Sequence, residues 1–147
     1  MASDFASKLR SLAERGVYIG TSSWKYPGWM GDVYTQSRYE THSKFSKAKF
    51  EATCLEEYAE TFSVVGGDFS FYQFPSDAFW AKLFASAPTS LKFGFKVPEE
   101  VTVARWPTHA RYGARAGMEN PNFLSAEAFI GVWGASEQRR TSSCSLL

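Results

Sequence analysis

Two residue types are nearly missing, and each absence closes off a class of function. Cysteine occurs twice in 147 residues, as Cys54 and Cys144, far apart and in no C-x-x-C pair. A disulfide framework and a thiolate metal site are therefore not expected, and both thiols read as reduced, one in a helix and one in a tail. Histidine also occurs only twice, as His42 and His109, in no H-E-x-x-H or similar spacing, so neither a metal nor a cofactor is expected.

Charge of one sign is lacking too. Lys and Arg number 16 against 15 Asp and Glu, a net charge of +1 that argues against duplex nucleic acid or an anionic membrane as partner. No stretch is long and apolar enough to span a membrane, and the first residues lack the continuous apolar core of a signal peptide, so a cytoplasmic location is expected. A G-x-S-x-G elbow and a glycine-rich phosphate loop are both absent. Gly66-Gly67 falls within an expected strand, where a bulge or a close backbone approach accounts for it.

What the chain has in quantity is aromatic. Phe, Tyr and Trp make up 17% of a composition that is 44% hydrophobic and 21% charged, which is globular. Many of these rings stand where a strand meets a loop. There they either plug the mouth of a barrel or wall a pocket for a sugar, base or other planar ligand.

Periodicity supplies the elements. Phe5, Leu9 and Leu12, followed by Gly16, predict an amphipathic helix over 1–16 with a glycine stop. Residues 17–24 (VYIGTSSW) read as a first strand, and Tyr26-Pro27-Gly28-Trp29 as a type II turn. Phe50, Cys54 or Leu55, Tyr58 and Phe62 return about every fourth residue and predict a helix over 44–62. Residues 64–74 (VVGGDFSFYQF) alternate as a second strand stopped by Pro75. Ser76 then caps a helix holding Phe79, Trp80, Leu83 and Phe84, which ends near Pro88. Residues 91–97 (LKFGFKV) form a third strand ended by Pro98. A loop rich in Arg, His, Tyr and Gly spans 99–122, and Ser125 opens a last helical segment through Phe129 and Ile130.

Strand and helix thus alternate as in a parallel α/β sheet with crossover connections. Side-chain parity refines this. Asp68, Ser70 and Tyr72 would share one face of the second strand, and Lys92, Gly94 and Lys96 one face of the third, opposite Leu91, Phe93, Phe95 and Val97. Gly20, Gly66 and Gly94 fall on the same inward parity. A polar inward face suits a barrel interior better than an open doubly wound sheet. The expected fold is therefore a partial (β/α) TIM-type barrel, with three strand–helix units where about eight are needed. It would occupy 17–130. Residues 131–147 (GVWGASEQRRTSSCSLL) lose all period and read as a disordered tail or as a lost reading frame that truncates the barrel.

The strand-end motifs carry a resemblance. Ile19-Gly20-Thr21-Ser22 with Trp24, Tyr26-Pro27 and Trp29 resembles the opening of the YecE-like family, the domain of unknown function 72. Phe71-Tyr72 with Pro75-Ser76, and Phe95-Lys96-Val97-Pro98 with Thr102, match its second and third strand ends. The resemblance implies a TIM-type barrel of unestablished activity, for which glycosidase, isomerase and endonuclease relationships rest on fold analogy alone. The family commonly has Glu and Asn before its Phe-Tyr pair, where this chain has Gly66 and Asp68. In this it resembles a branch with a Gly-Asp-Phe-Ser-Phe-Tyr-Gln-Phe-Pro strand and a His-x-Arg-Tyr-Gly loop, here His109 to Gly113.

In such a barrel function collects at the carboxyl ends of the strands. Lys96 is the first candidate there, as an acid–base group or the holder of a substrate anion, and a structural ion pair with Asp68 is the plainer alternative. Tyr72 would donate a proton or hydrogen bond, or else sit as a core tyrosine with its hydroxyl satisfied. Lys96, Asp68 and Tyr72 are thus the catalytic candidates. Trp24 and Trp29 either stack a ligand or cap the barrel. His109 and Arg111 either reach over the mouth to hold a carboxylate or phosphate, or lie in a solvated loop. The expected partner is an unknown small-molecule substrate, with self-association through open sheet edges. The alternatives to an enzyme are a non-catalytic sugar- or nucleotide-binding module and an inactive truncated fragment.

Overall fold

Residues 2–137 are described by the computed structural model. Helix α1 (Ala2–Glu14) buries Ala6 and Leu9 and ends at Gly16, whose φ of +81° lets the Gly16 N–H reach the Ala13 carbonyl at 3.0 Å. Strand β1 (Gly20–Thr21) is much shorter than the expected 17–24. Val17, Tyr18 and Ile19 stay exposed because pairing with the next strand begins only at Gly20. A side chain at position 20 would set its Cβ 1.7 Å from the Val64 carbonyl oxygen, so glycine is required there.

The expected type II turn does not form. Pro27–Trp29 is a turn of 3-10 helix, with the Trp29 N–H on the Tyr26 carbonyl at 3.2 Å, and Gly28 has no positive φ. The cause lies in Trp29, whose ring packs inward against Tyr34 and Phe62. A second 3-10 turn (Gln36–Tyr39) leads into the small hairpin of β2 (Glu40–Thr41) and β3 (Lys44–Phe45). His42 and Ser43 make its tight bend with φ of 51° and 60°. This hairpin takes the first residues expected in the next helix. Helix α2 (Lys47–Thr61) starts after Ser46, whose hydroxyl accepts from the Lys49 N–H at 3.3 Å.

Strand β4 (Val64–Gly67) is followed at once by the single turn α3 (Phe69–Tyr72), so the expected second strand over 64–74 stops at Gly67. Helix α4 (Asp77–Ala85) is capped by Ser76, which accepts from the Phe79 N–H at 3.3 Å. Strand β5 (Lys92–Phe95) closes the sheet in the order β1-β4-β5, all parallel, with Thr21 opposite Val65 and Val65 opposite Phe93. The parity read for the third strand holds: Phe93 packs on Phe84 at 5.5 Å and Phe95 on Trp80 at 4.8 Å, both on the helix side. A short α5 (Glu99–Thr102) and a 3-10 segment (Ala110–Arg115) break up the expected loop. Helix α6 (Ala126–Glu137) runs past Gly131, where the sequence loses its period; positions 138–147 of the expected tail lie outside the described residues.

The fold is thus α/β with a small parallel sheet, and the described residues form no closed barrel. Neither the outer edge of β1 nor that of β5 has a strand beside it among them. None of the described helices is long and apolar enough to cross a membrane. The core lies between the sheet and helices α2 and α4, where Phe50, Cys54, Tyr58, Val65, Trp80 and Phe93 are buried. Burial pushes the Cys54 thiol up to about 11. Tyr58 ties α2 to the sheet: its hydroxyl donates to the Val64 carbonyl at 3.0 Å and accepts from the Thr21 N–H at 3.0 Å.

A buried carboxylate pins the segment before the hairpin onto α2. Glu57 accepts from the Tyr39 hydroxyl at 2.6 Å and the Thr35 N–H at 3.0 Å, with the Arg38 guanidinium 3.4 Å away. Burial alone would raise this carboxyl, yet the two hydrogen bonds and Arg38 outweigh it and hold Glu57 below the usual range. A depressed carboxyl contributes stability that is fully present above its unfolded value of about 4.3 and is lost as pH falls through the folded value. Glu57→Ala is expected to cost about 2–4 kcal/mol in urea unfolding, because the Tyr39 hydroxyl and the Thr35 N–H lose their acceptor, while Arg38 keeps Glu60 at 2.9 Å. Glu57→Gln should flatten the acid limb of the stability curve, and an acid limb identical to wild type would disprove the assignment.

Candidate functional site

The carboxyl ends of β4 and β5 are brought together by a packing constraint. At Gly67 a Cβ would meet the Phe95 ring at 2.6 Å, so the backbone lies directly against that ring and then coils into α3. The buried Ser70 hydroxyl lies 3.1 Å from the Gly67 carbonyl and 2.8 Å from that of Lys96, holding α3 against the chain leaving β5. Asp68 and Lys96 each stand one residue past the end of a strand, and the Lys96 ammonium meets the Asp68 carboxylate at 3.2 Å. The pair expected from parity therefore forms, but outside the strands and in water: the side chains are 61% and 50% exposed. Asp68, Ser70 and Tyr72 do not share a strand face, since they belong to a helical turn.

Tyr72 leads to the second part of the site. Its side chain is exposed, and the Arg111 guanidinium lies over its ring at 4.4 Å and over the Tyr112 ring at 4.6 Å. Arg111 Nη2 donates to Glu99 Oε2 at 2.8 Å and also bonds the Tyr112 hydroxyl, which itself donates to the same carboxylate oxygen at 2.8 Å. The Tyr112 bond and Glu99 keep the guanidinium charged, above even its usual high range. His109 is exposed, and its Nδ1 accepts from the Arg111 N–H at 3.2 Å, so it caps the 3-10 turn that presents Arg111.

The two tryptophans part company. Trp24 is buried beside the strand ends, edge to face with Phe69 at 6.4 Å, and its carbonyl accepts from the Tyr34 hydroxyl. Trp29 packs on Phe62, where α2 ends and the chain enters β4, which is the opposite end of the sheet from Lys96. Lys96 thus pairs with Asp68 and Arg111 lies over Tyr72, His109 caps the turn that carries Arg111, and Trp29 lies at the other end of the sheet. Sequence reasoning missed Glu99 and Tyr112, the buried partners that orient Arg111. Glu99 directly after Pro98 had only the weak signal of an acid at a helix start.

Beside this site a cleft of about 720 Å³ opens between α2 and α4 and reaches the residues that follow β1 and β4. Leu55 and Leu83 stand in its depth and Lys25 and Lys82 at its mouth, with Asp68 on its wall. Among the described residues no group of three or more His, Cys, Asp or Glu side chains could hold a metal ion.

A parallel sheet, crossover helices and polar side chains gathered at the strand ends define an α/β domain with its candidate site at the carboxyl edge. The family model described as protein of unknown function DUF72 matches residues 18–132, and the chain belongs to that family. Comparison with curated proteins finds no match, and neither does comparison with solved structures.

The segment carrying Arg111 owes its order to Asn120. This buried side chain donates to the Glu100 and Val103 carbonyls, both at 2.8 Å, and accepts from the Asn122 N–H at 3.0 Å. Arg105 adds a bond to the Gly117 carbonyl at 2.6 Å. Asn120→Ala is expected to cost about 1–3 kcal/mol and to speed tryptic cutting after Arg105, Arg111 and Arg115. Unchanged cleavage rates would show that Asn120 does not order the segment.

Proposed function

We propose that the three strand–helix units belong to a TIM-type barrel running over 17–130, and that the carboxyl ends of β4 and β5 bind a neutral, hydroxyl-rich small molecule of the sugar class. The observation that carries this reading is charge compensation. Lys96 is matched by Asp68, Arg111 by Glu99 at 2.8 Å and Arg115 by Glu100 at 3.1 Å, so the cations there are already paired. A phosphate or carboxylate would have to compete with these carboxylates, whereas hydroxyl groups can donate to Asp68 and accept from Lys96 and Arg111 without separating charge. Tyr72, 61% exposed, carries the Arg111 guanidinium over its ring and meets the Phe71 ring at right angles at 4.9 Å; what is left of its exposed ring surface is offered to the C–H side of a sugar. Its hydroxyl has no hydrogen-bond partner among the described residues. Binding is the function this geometry supports best; acid–base work by Lys96, Asp68 and Tyr72 would use the same three groups. The buried thiol of Cys54 is in keeping with a cytoplasmic setting.

Ligand-observed NMR with glucose, ribose, glucose 6-phosphate and AMP tests this. The free sugars are expected to bind, with Tyr72→Ala weakening them about threefold to tenfold and Asp68→Ala acting in the same direction. No sugar binding, or phosphate esters binding more tightly than free sugars, would refute the reading.

A further inference from the structure

The cleft between α2 and α4 follows a different charge logic from the strand-end site. Its depth is walled by the buried Trp24, Leu55 and Leu83 and by the half-buried Phe69, a set of flat and branched apolar surfaces. Two carboxylates line it, and both are matched: Asp68 by Lys96 at 3.2 Å and Glu51 by Lys47 at 3.7 Å. Two ammonium groups also line it, and neither meets a carboxylate among the described residues. Lys82 projects from α4, and Lys25 follows Trp24, with its Nζ 5.7 Å from the centroid of that ring. The uncommitted charge at the mouth is therefore positive, above an apolar floor.

We propose that this cleft is a second ligand site, one that takes a small amphipathic anion. A planar aromatic body would lie against Trp24, Leu55, Phe69 and Leu83, with one carboxylate, sulfonate or phosphate group held at the rim by Lys25 and Lys82. The volume of about 720 Å³ is that of a site for such a molecule. Removing the anionic group leaves the two lysines with water alone, and removing the aromatic body leaves an exposed ion pair of little worth. Both halves of the ligand are needed. The proposal stands apart from the sugar reading although Asp68 borders both places: its cations are other residues, and it asks for an anion where the strand ends ask for a neutral ligand.

The probes are 8-anilinonaphthalene-1-sulfonate and its uncharged relative N-phenyl-1-naphthylamine, titrated by fluorescence into the full chain. The sulfonate is expected to bind one per chain and more tightly than the neutral dye. The exposed double variant Lys25→Gln/Lys82→Gln should weaken the sulfonate about fivefold to tenfold and leave the neutral dye unchanged. Ala52→Trp, which fills the cleft from the exposed wall of α2, should abolish both, with circular dichroism melts showing that each variant keeps its fold. Tyr72→Ala, which tests the sugar site, should change neither dye. Absence of sulfonate binding, an unchanged affinity in the lysine double variant, or undiminished binding to Ala52→Trp would each overturn the proposal.

Discussion

The ring of Phe95 lying against the bare backbone of Gly67 decides where β4 ends, and the candidate site follows from that. Phe95 is itself held by Trp80 at 4.8 Å and by a parallel stack on Phe93 at 5.7 Å, so its place is set by the aromatic layer on the helix side of the sheet. The chain accepts the ring only because residue 67 has no Cβ, and beyond it the backbone coils instead of running on as strand. That coil sets Asp68 next to Lys96 and puts Tyr72 under Arg111. Polar groups on the solvent side of the strand ends are thus positioned by apolar packing on the other side. Interiors are close-packed, so a shift of one ring there is transmitted rather than absorbed.

How far the residues announced this depends on whether the deciding contact is local. Helix α2 was legible because Phe50, Cys54, Leu55 and Tyr58 repeat over about two turns, and the capping Ser76 stands just ahead of α4. The facing of Phe93 and Phe95 was legible from a period of two. The run Asp68-Phe69-Ser70-Phe71-Tyr72 alternates in the same way, yet a single helical turn is too short to reveal its own period, and the contact that coils it comes from Phe95, far along the chain. Pro27-Gly28 reads as a type II turn until the packing of Trp29 on Tyr34 and Phe62 is known. Glu99 and Asn120 order the Arg111 segment through bonds to residues a dozen or more positions away, which no local pattern marks. The cleft is assembled from α2, α4 and two strand ends, and nothing in the sequence signals it.

Overall charge is equally silent on what separates the strand ends from the cleft. A balance of 16 basic and 15 acidic residues describes the chain as neutral. The fold distributes that balance unevenly: cations are matched one by one at the strand ends, and two at the cleft mouth meet no carboxylate among the described residues. Such a partition gives the two places different electrostatic character without any change in composition.

Cys54 gives the fold a built-in reporter. Its sulfur lies in the core between α2 and Trp24, 4.0 Å from the Trp24 carbonyl, with its thiol pushed up to about 11. A buried protonated thiol is inert to alkylation, while the same thiol in an opened chain ionises near its ordinary value of about 8.5 and reacts. The rate at which Cys54 becomes alkylated under native conditions therefore measures how often α2 lifts from the sheet, and any ligand that fills the neighbouring cleft will slow that clock.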